Sequence, residues 1–287
     1  MLKRLRADAR LFPTAGFFLK FQVNWLLNGR RFAVRRQLDS GVVVSLTSYP
    51  PRFPTLHLTL MSLLAQSYAP ARIVLWIAHQ DMDKLPASVT DLTRHGLEIK
   101  ACDDLRSYKK LIPQLQSDPR SIIVTADDDV HYWRHWLQEL VDAYEPERKE
   151  VIAHRVHRIR LGADGLPLPY NEWEHSIREY GADALHFPTG IGGVLYAPGV
   201  LDAQVLEQDE FMRLCPRGDD IWFWWMARRN GARFRRAPSV NRDSYFHCWD
   251  GSQACALWED NLTGSYNDTQ IAAMIGRYGF AEERKVA

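Results

Sequence analysis

Three consecutive carboxylates, Asp127, Asp128 and Asp129, follow the apolar run Ile122, Ile123 and Val124 after only Thr125 and Ala126. Crowding like charges at one spot costs free energy unless a cation or a chemical task compensates. Oxygen-only ligands suit hard cations such as Mg²⁺ and Mn²⁺, which commonly take one or two carboxylates together with substrate phosphates. Helix capping is the plainer explanation, because aspartates favour the first turn of a following helix. One aspartate would serve for that; three straight after a buried strand favour a cation bound with a diphosphate.

Other residues could share that chemistry. Asp219 and Asp220 open the apolar stretch Ile221 to Met226, where a carboxylate acts either as a helix cap or as a general base. "CDDLRSYKKLIP" supplies complementary charge: Lys109 or Lys110 could bind phosphate as a point charge, and Tyr108 could stack on a base. Adjacent lysines are also commonly a solvated face. "TSYPPR" offers Thr47, Tyr49 and Arg52. "FPTGIGGVLYAPG" clusters Gly190, Gly192 and Gly193, which permit either close backbone approach to a ligand or a tight turn. In "HRVHRI", His154, Arg155 and His157 either face an anionic group or form an ordinary polar strand face.

Positioning these groups falls to an alternating pattern of elements that begins at Gly41. "GVVVSL", "RIVLWIA", "LEIKAC" and "SIIVTA" read as strands, with helices over "TLHLTLMSLLAQS" and, after the aspartates, "WRHWLQELVDAY". Strands alternating with helices predict an α/β layered sheet, whose ligands collect at the carboxyl ends of the strands. "TSYPPR", "CDDLRSYKK" and "ADDDV" all fall there.

Composition bounds the function. The 287 residues suit one large domain or two small ones, and 46% hydrophobic with 25% charged residues is ordinary for a soluble globular protein. A net charge of +1 gives no argument for nucleic acid as a partner. Cys102, Cys215, Cys248 and Cys255 form no CxxC pair, which favours a reducing compartment over a disulfide scaffold or zinc ribbon. Residues 1–40 form a basic amphipathic segment. Its apolar stretch is interrupted by Lys20, Gln22 and Asn24, so it is too broken to span a bilayer. Two readings stay open: a segment lying on an anionic membrane, or a helix packed on the domain.

"IIVTADDDV" resembles the DxD motif of the GT-A glycosyltransferases, the nucleotide-sugar-dependent enzymes. "VVSLTSYPPR", the helix with "LLAQSYAP" and the strand "RIVLWIA" resemble the opening of their nucleotide-binding half. The resemblance spans about Gly41 to Gly231. It implies a Rossmann-like mixed sheet flanked by helices over 41–287, with a nucleotide-binding half over 41–130 and an acceptor half over 131–287. Asp129 would ligate Mn²⁺ or Mg²⁺ directly, and Asp127 would contact ribose or metal-bound water. Asp128, Thr47, Tyr49, Arg52, Tyr108 and Lys109 would lie about the donor, and Gly192, Gly193 and Trp173 would wall the donor or acceptor.

Inverting members place an acidic pair where Asp219 and Asp220 fall, its second carboxylate serving as base, which selects Asp220. Here the pair is Asp-Asp rather than the commoner Glu-Asp. Many members complete the metal site with a C-terminal histidine, which selects His247, although imidazole suits Mn²⁺ less well than zinc. "GSYNDTQI" could close over the donor through Asn267 and Asp268.

The implied activity is metal-dependent, inverting transfer of a hexosyl group from a UDP-sugar to a saccharide or lipid-linked saccharide acceptor. The implied setting is surface polysaccharide or lipopolysaccharide synthesis in the cytoplasm, with peripheral contact on the inner membrane face through the N-terminus. A sugar-nucleotide nucleotidyltransferase is one alternative, although "TSYPPR" lacks the glycines of its usual loop. A non-catalytic carbohydrate-binding subunit of the same fold is the other.

Overall fold

The computed structural model describes residues 41–239, 247–249 and 266–280, together with Trp25. The basic N-terminal segment therefore lies, Trp25 apart, outside the described residues.

The first half alternates as the sequence predicts: β1 (Val42–Thr47), α1 (Phe53–Leu64), β2 (Arg72–Ala78), α2 (Ala87–Thr90), β3 (Leu97–Cys102), α3 (Ile112–Ser117) and β4 (Ile122–Ala126). There follow β5 (Val130–His131), α4 (Trp136–Asp142), β6 (Glu150–Ala153), β7 (Val156–Arg158), β8 (His186–Pro188) and β9 (Val194–Tyr196). The remaining elements are α5 (Gln208–Leu214), α6 (Asp219–Arg229), β10 (Arg233–Arg236), β11 (His247–Cys248) and α7 (Tyr266–Tyr278).

Seven strands form one sheet in the order β10-β6-β9-β4-β1-β2-β3. β1 pairs in parallel with β2 and β4, β2 with β3, and β6 with β10. β9 runs antiparallel to both β4 and β6 and joins the two parallel groups. This is the mixed, helix-flanked α/β sheet expected from the sequence.

Strand alternation explains the layers. Val42, Val44 and Leu46 enter one core with Leu56, Leu60 and Leu63 of α1, whereas Val43 faces the opposite side with Val74 and Trp76. Strands buried on both faces read as unbroken apolar runs, which is why β1, β2 and β4 were legible. On the other half, α6 is apolar nearly all round, and Trp222, Phe223, Trp224, Trp225 and Met226 are all buried. Their polar tips are satisfied in place: Trp222 Nε1 donates to the Val205 carbonyl at 3.1 Å and Trp224 Nε1 to that of His186 at 2.7 Å.

One expected element differs. The helix after the aspartates begins at Trp136 rather than Trp133, and before it Val130–His131 forms an unforeseen β5, antiparallel to β11 with His131 opposite His247. A two-residue strand completed by a partner so distant in sequence leaves no periodic signal.

Candidate functional site at the carboxyl ends of β1 and β4

Register delivers the first acidic cluster. Leu46 of β1 lies opposite Ala126 of β4, so the loop that begins at Ser48 emerges beside Asp127–Asp129. Ser48 Oγ donates to Asp128 Oδ2 at 2.5 Å, and Arg52 Nη1 donates to Asp129 Oδ2 at 2.5 Å, 4.0 Å from Asp128 Oδ1. The backbone of the triplet is pinned separately. The Asp127 N–H donates to the Tyr132 hydroxyl at 2.7 Å, Thr59 Oγ1 donates to the Asp128 carbonyl at 3.0 Å, and the Trp249 N–H donates to the Asp129 carbonyl at 3.1 Å.

Electrostatics there are strained. Burial pushes the Asp128 carboxyl up to about 7; Asp129 and Asp127 add to this, while Arg52 and Ser48 oppose it. Burial also raises Asp127 above the usual carboxylate range, opposed by Lys110 and reinforced by Asp129 and Asp219. Burial disfavours the Arg52 cation too, yet Asp129 and Asp128 outweigh it and hold the guanidinium above its ordinary value.

A buried lysine joins this cluster to the second acidic pair. Lys110 Nζ lies 2.8 Å from Asp219 Oδ2 and 3.4 Å from Asp127 Oδ1. Burial disfavours its charge, but Asp219, Asp127 and Asp220 outweigh this and keep it well above the normal lysine value. Neither aspartate at the start of α6 spends these bonds on capping its own helix. Asp219 Oδ1 accepts from Ser107 Oγ at 2.9 Å, and Asp220 Oδ2 accepts from the Gly190 N–H at 2.9 Å.

Asp220 borders Val151, Pro188, Tyr196, Phe223, Trp224 and Phe234. Burial pushes its carboxyl up to about 7, with Asp219 adding to the rise and Lys110 opposing it. Gly190 makes this approach possible. A Cβ there would lie 2.7 Å from Lys110 Nζ, 3.0 Å from Asp220 Oδ1 and 3.6 Å from Asp127 Oδ1. Of the two adjacent lysines it is Lys110, not the expected Lys109, that reaches the aspartates, and of the three clustered glycines it is Gly190 that lies against them.

The other expected residues divide. Arg52, Asp127, Asp128, Asp129, Asp219 and Asp220 meet in this region. Thr47, at the end of β1, turns its hydroxyl to the Trp76 carbonyl at 2.8 Å, and Tyr49 is exposed just beyond it. Lys109 is buried and pairs with Asp104 at 2.8 Å. Tyr108 is wholly buried, stacks on Phe211 at 4.2 Å between centroids and donates to the Cys215 carbonyl, so its ring is a core contact rather than a surface for a base.

Gly192 and Gly193 serve packing in place of the expected wall. The Gly192 carbonyl accepts from Trp136 Nε1, and a Cβ on Gly193 would meet that ring at 2.5 Å. Trp173 is likewise core, 5.2 Å from Phe187 between centroids, with its N–H on the Leu168 carbonyl. Asn267 is buried, and Asp268 accepts from the Tyr170 N–H at 2.7 Å. The backbone of His247 pairs with His131, and its side chain lies outside what is described.

Among the described residues no three His, Cys, Asp or Glu side chains gather into a ready metal cage. The donor set nonetheless fits a hard cation of the kind that keeps several waters and uses one or two carboxylates plus phosphate. The observation behind this fit is that three adjacent carboxylates are gathered with only Arg52 and Lys110 beside them, and that burial, reinforced by the neighbouring aspartates, lifts both Asp127 and Asp128.

No family model and no curated protein matches the chain. Similar solved structures include residues 1–349 of S. aureus TarS, at TM-score 0.46 and 14% identity over 85% of this chain and 75% of that one. The same protein in complex with UDP aligns at 0.45 and 11% over 82% of this chain and 65% of that one. The 4-diphosphocytidyl-2C-methyl-D-erythritol synthase of Anaerococcus prevotii aligns at 0.43 and 12% over 73% and 92%. The fold class rests on the topology of the sheet itself. Among the described residues no helix is long and apolar enough to cross a membrane.

Proposed function

We propose that this chain is an inverting glycosyltransferase that moves a sugar from a nucleotide diphosphate, UDP by expectation, to a saccharide acceptor. The observation that carries this reading is the Lys110 bridge, with Asp127 on one side and the Asp219–Asp220 pair on the other. It sets a cation-seeking carboxylate cluster beside a carboxyl whose pKa near 7 suits a general base.

In this reading the donor diphosphate lies over the ends of β1 and β4, where Arg52 and Lys110 hold Asp129 and Asp127 in place. A divalent cation held by Asp127 and Asp129 would neutralise the charge of the departing diphosphate. Asp220 accepts the proton of the acceptor hydroxyl while the Gly190 N–H fixes its other oxygen. Asp219, engaged by Ser107 and Lys110, positions the lysine rather than meeting substrate. Direct displacement through oxocarbenium-like charge then inverts the anomeric centre.

Calorimetric titration of UDP into the full chain tests the donor side. Binding should tighten at least tenfold, about 1.4 kcal/mol, with Mn²⁺, and Asp129→Ala should remove that gain while leaving the melting temperature within a few degrees. UDP affinity equal with Mn²⁺ and with excess chelator would remove the metal from this function.

A further inference from the structure

The turn between β6 and β7 holds a cation that the donor chemistry does not use. The Arg155 carbonyl accepts from the Thr189 N–H at 3.1 Å, and the next residue, Gly190, donates to Asp220. The Arg155 backbone is therefore held by the residue that precedes Gly190, whose N–H binds the carboxylate assigned as base. Its Nε donates to Ser176 Oγ at 3.2 Å, and among the described residues no carboxylate lies within ion-pair distance of its guanidinium. Burial pulls that cation below its ordinary value, and Tyr170 and Asp220 counteract this only from farther off. The side chain is still partly open to solvent.

The support for this arginine is deliberate in its geometry. Ser176 has a φ of +53°, in the left-handed region that costs a non-glycine residue free energy. In that conformation its hydroxyl receives Arg155 Nε while its N–H donates to His157 Nδ1 at 2.9 Å. Burial, with Arg155 and His175 adding to it, holds His157 well below the normal histidine value, so the ring is neutral. Its proton then sits on Nε2, a buried atom that meets no acceptor among the described residues. Exposed His175 and partly exposed Tyr170, 5.3 Å apart between centroids, provide an aromatic wall beside them.

We propose that Arg155 is the anion-recognising residue of the acceptor subsite, so that the saccharide presented to Asp220 bears a carboxylate or phosphate group. An arginine fork matches either anion with two parallel hydrogen bonds, and the aromatic wall suits the apolar face of a sugar ring. This rests on the reading of Asp220 as the acceptor-side base.

The test is binding of methyl β-D-glucuronide, glucose 6-phosphate and neutral methyl β-D-glucoside to the full chain, with and without UDP. At least one anionic sugar should bind roughly tenfold or more tightly than the glucoside. The glucuronide arm identifies a carboxylate source and the phosphate arm a phosphate source. Arg155→Met should abolish the preference while UDP affinity stays unchanged, and Arg155→Lys should retain part of it. Equal binding of all three sugars, no detectable binding of either anion, or a preference that survives Arg155→Met overturns the proposal. The unmutated protein decides the first two whether or not the variants fold. Failure to bind UDP would instead remove the glycosyltransferase reading, which the sugar preference measured without nucleotide does not touch.

Discussion

Lys110 is the residue on which the site turns. Its ammonium is the buried counter-charge between Asp127 and Asp219, so removing it leaves two buried carboxylates uncompensated. Breaking a buried pair of this kind costs about 3–5 kcal/mol. Lys110→Met should therefore lose about that much stability in urea titration, whereas Lys109→Met should lose less than about 1 kcal/mol because Asp104 is half exposed and can be resolvated. Equal losses would mean that Lys110 is not the keystone. The sequence narrowed the choice to two adjacent lysines and could go no further. They lie in a 3-10 turn, Arg106–Lys110, in which neighbouring side chains diverge by about a third of a revolution. Only the turn's seating against β1 and α6 decides which lysine faces the aspartates. Tyr108 failed as a base-stacking candidate for the same reason, since the turn drives its ring into the core.

At the scale of elements, the glycine-rich connection between β8 and β9 separates chemistry from packing. Gly190 has no special backbone need, but an added Cβ would press on Lys110 and Asp220. Gly190→Ala should lower turnover roughly tenfold or more, with a fall in melting temperature no larger than that of Lys110→Met, because its Cβ meets the Lys110 ammonium and the Asp220 carboxylate rather than backbone or a ring. Gly193→Ala is the contrast. With φ at +92° and the Trp136 ring at 2.5 Å, it combines backbone strain with overpacking and should cost about 1–3 kcal/mol or more. If Gly190→Ala destabilised as much as Gly193→Ala while its residual turnover stayed normal, the functional assignment of Gly190 would fall. The cluster is legible in the sequence, but spacing does not reveal that Gly190, rather than Gly192 or Gly193, meets the charged side chains. The β1, β2 and β4 frame was legible from uninterrupted β-branched runs, whereas β5 and β11 exist only through each other.

Among the described residues a seven-stranded sheet carries an acidic edge, and the sequence adds a basic N-terminal segment with nine Lys and Arg among its first 36 residues against one Asp. If that segment is a surface anchor, deleting residues 1–36 should release the protein from anionic vesicles and leave turnover on a soluble acceptor unchanged. Loss of the fold would assign it to the core instead. The central claim is that Asp220 takes a proton during sugar transfer, and the most direct measurement is the pH profile of UDP release from a UDP-sugar with an acceptor, for wild type and Asp220→Asn. Burial raises the carboxyl to about 7, with Asp219 and Asp127 adding to it and Lys110 and the Gly190 N–H opposing it, and Tyr196 and Arg155 also face it. Raised this way, it adds to stability while protonated, and that contribution is lost as pH rises towards and through about 7. Over the same window the ionised base forms, so wild-type kcat/KM should climb through about pH 7. Asp220→Asn should keep donor affinity, melt no lower than wild type at pH 8, and lose roughly 100-fold or more in turnover together with the rise. An Asp220→Asn enzyme within a few-fold of wild type, with the same dependence on pH, would contradict the claim.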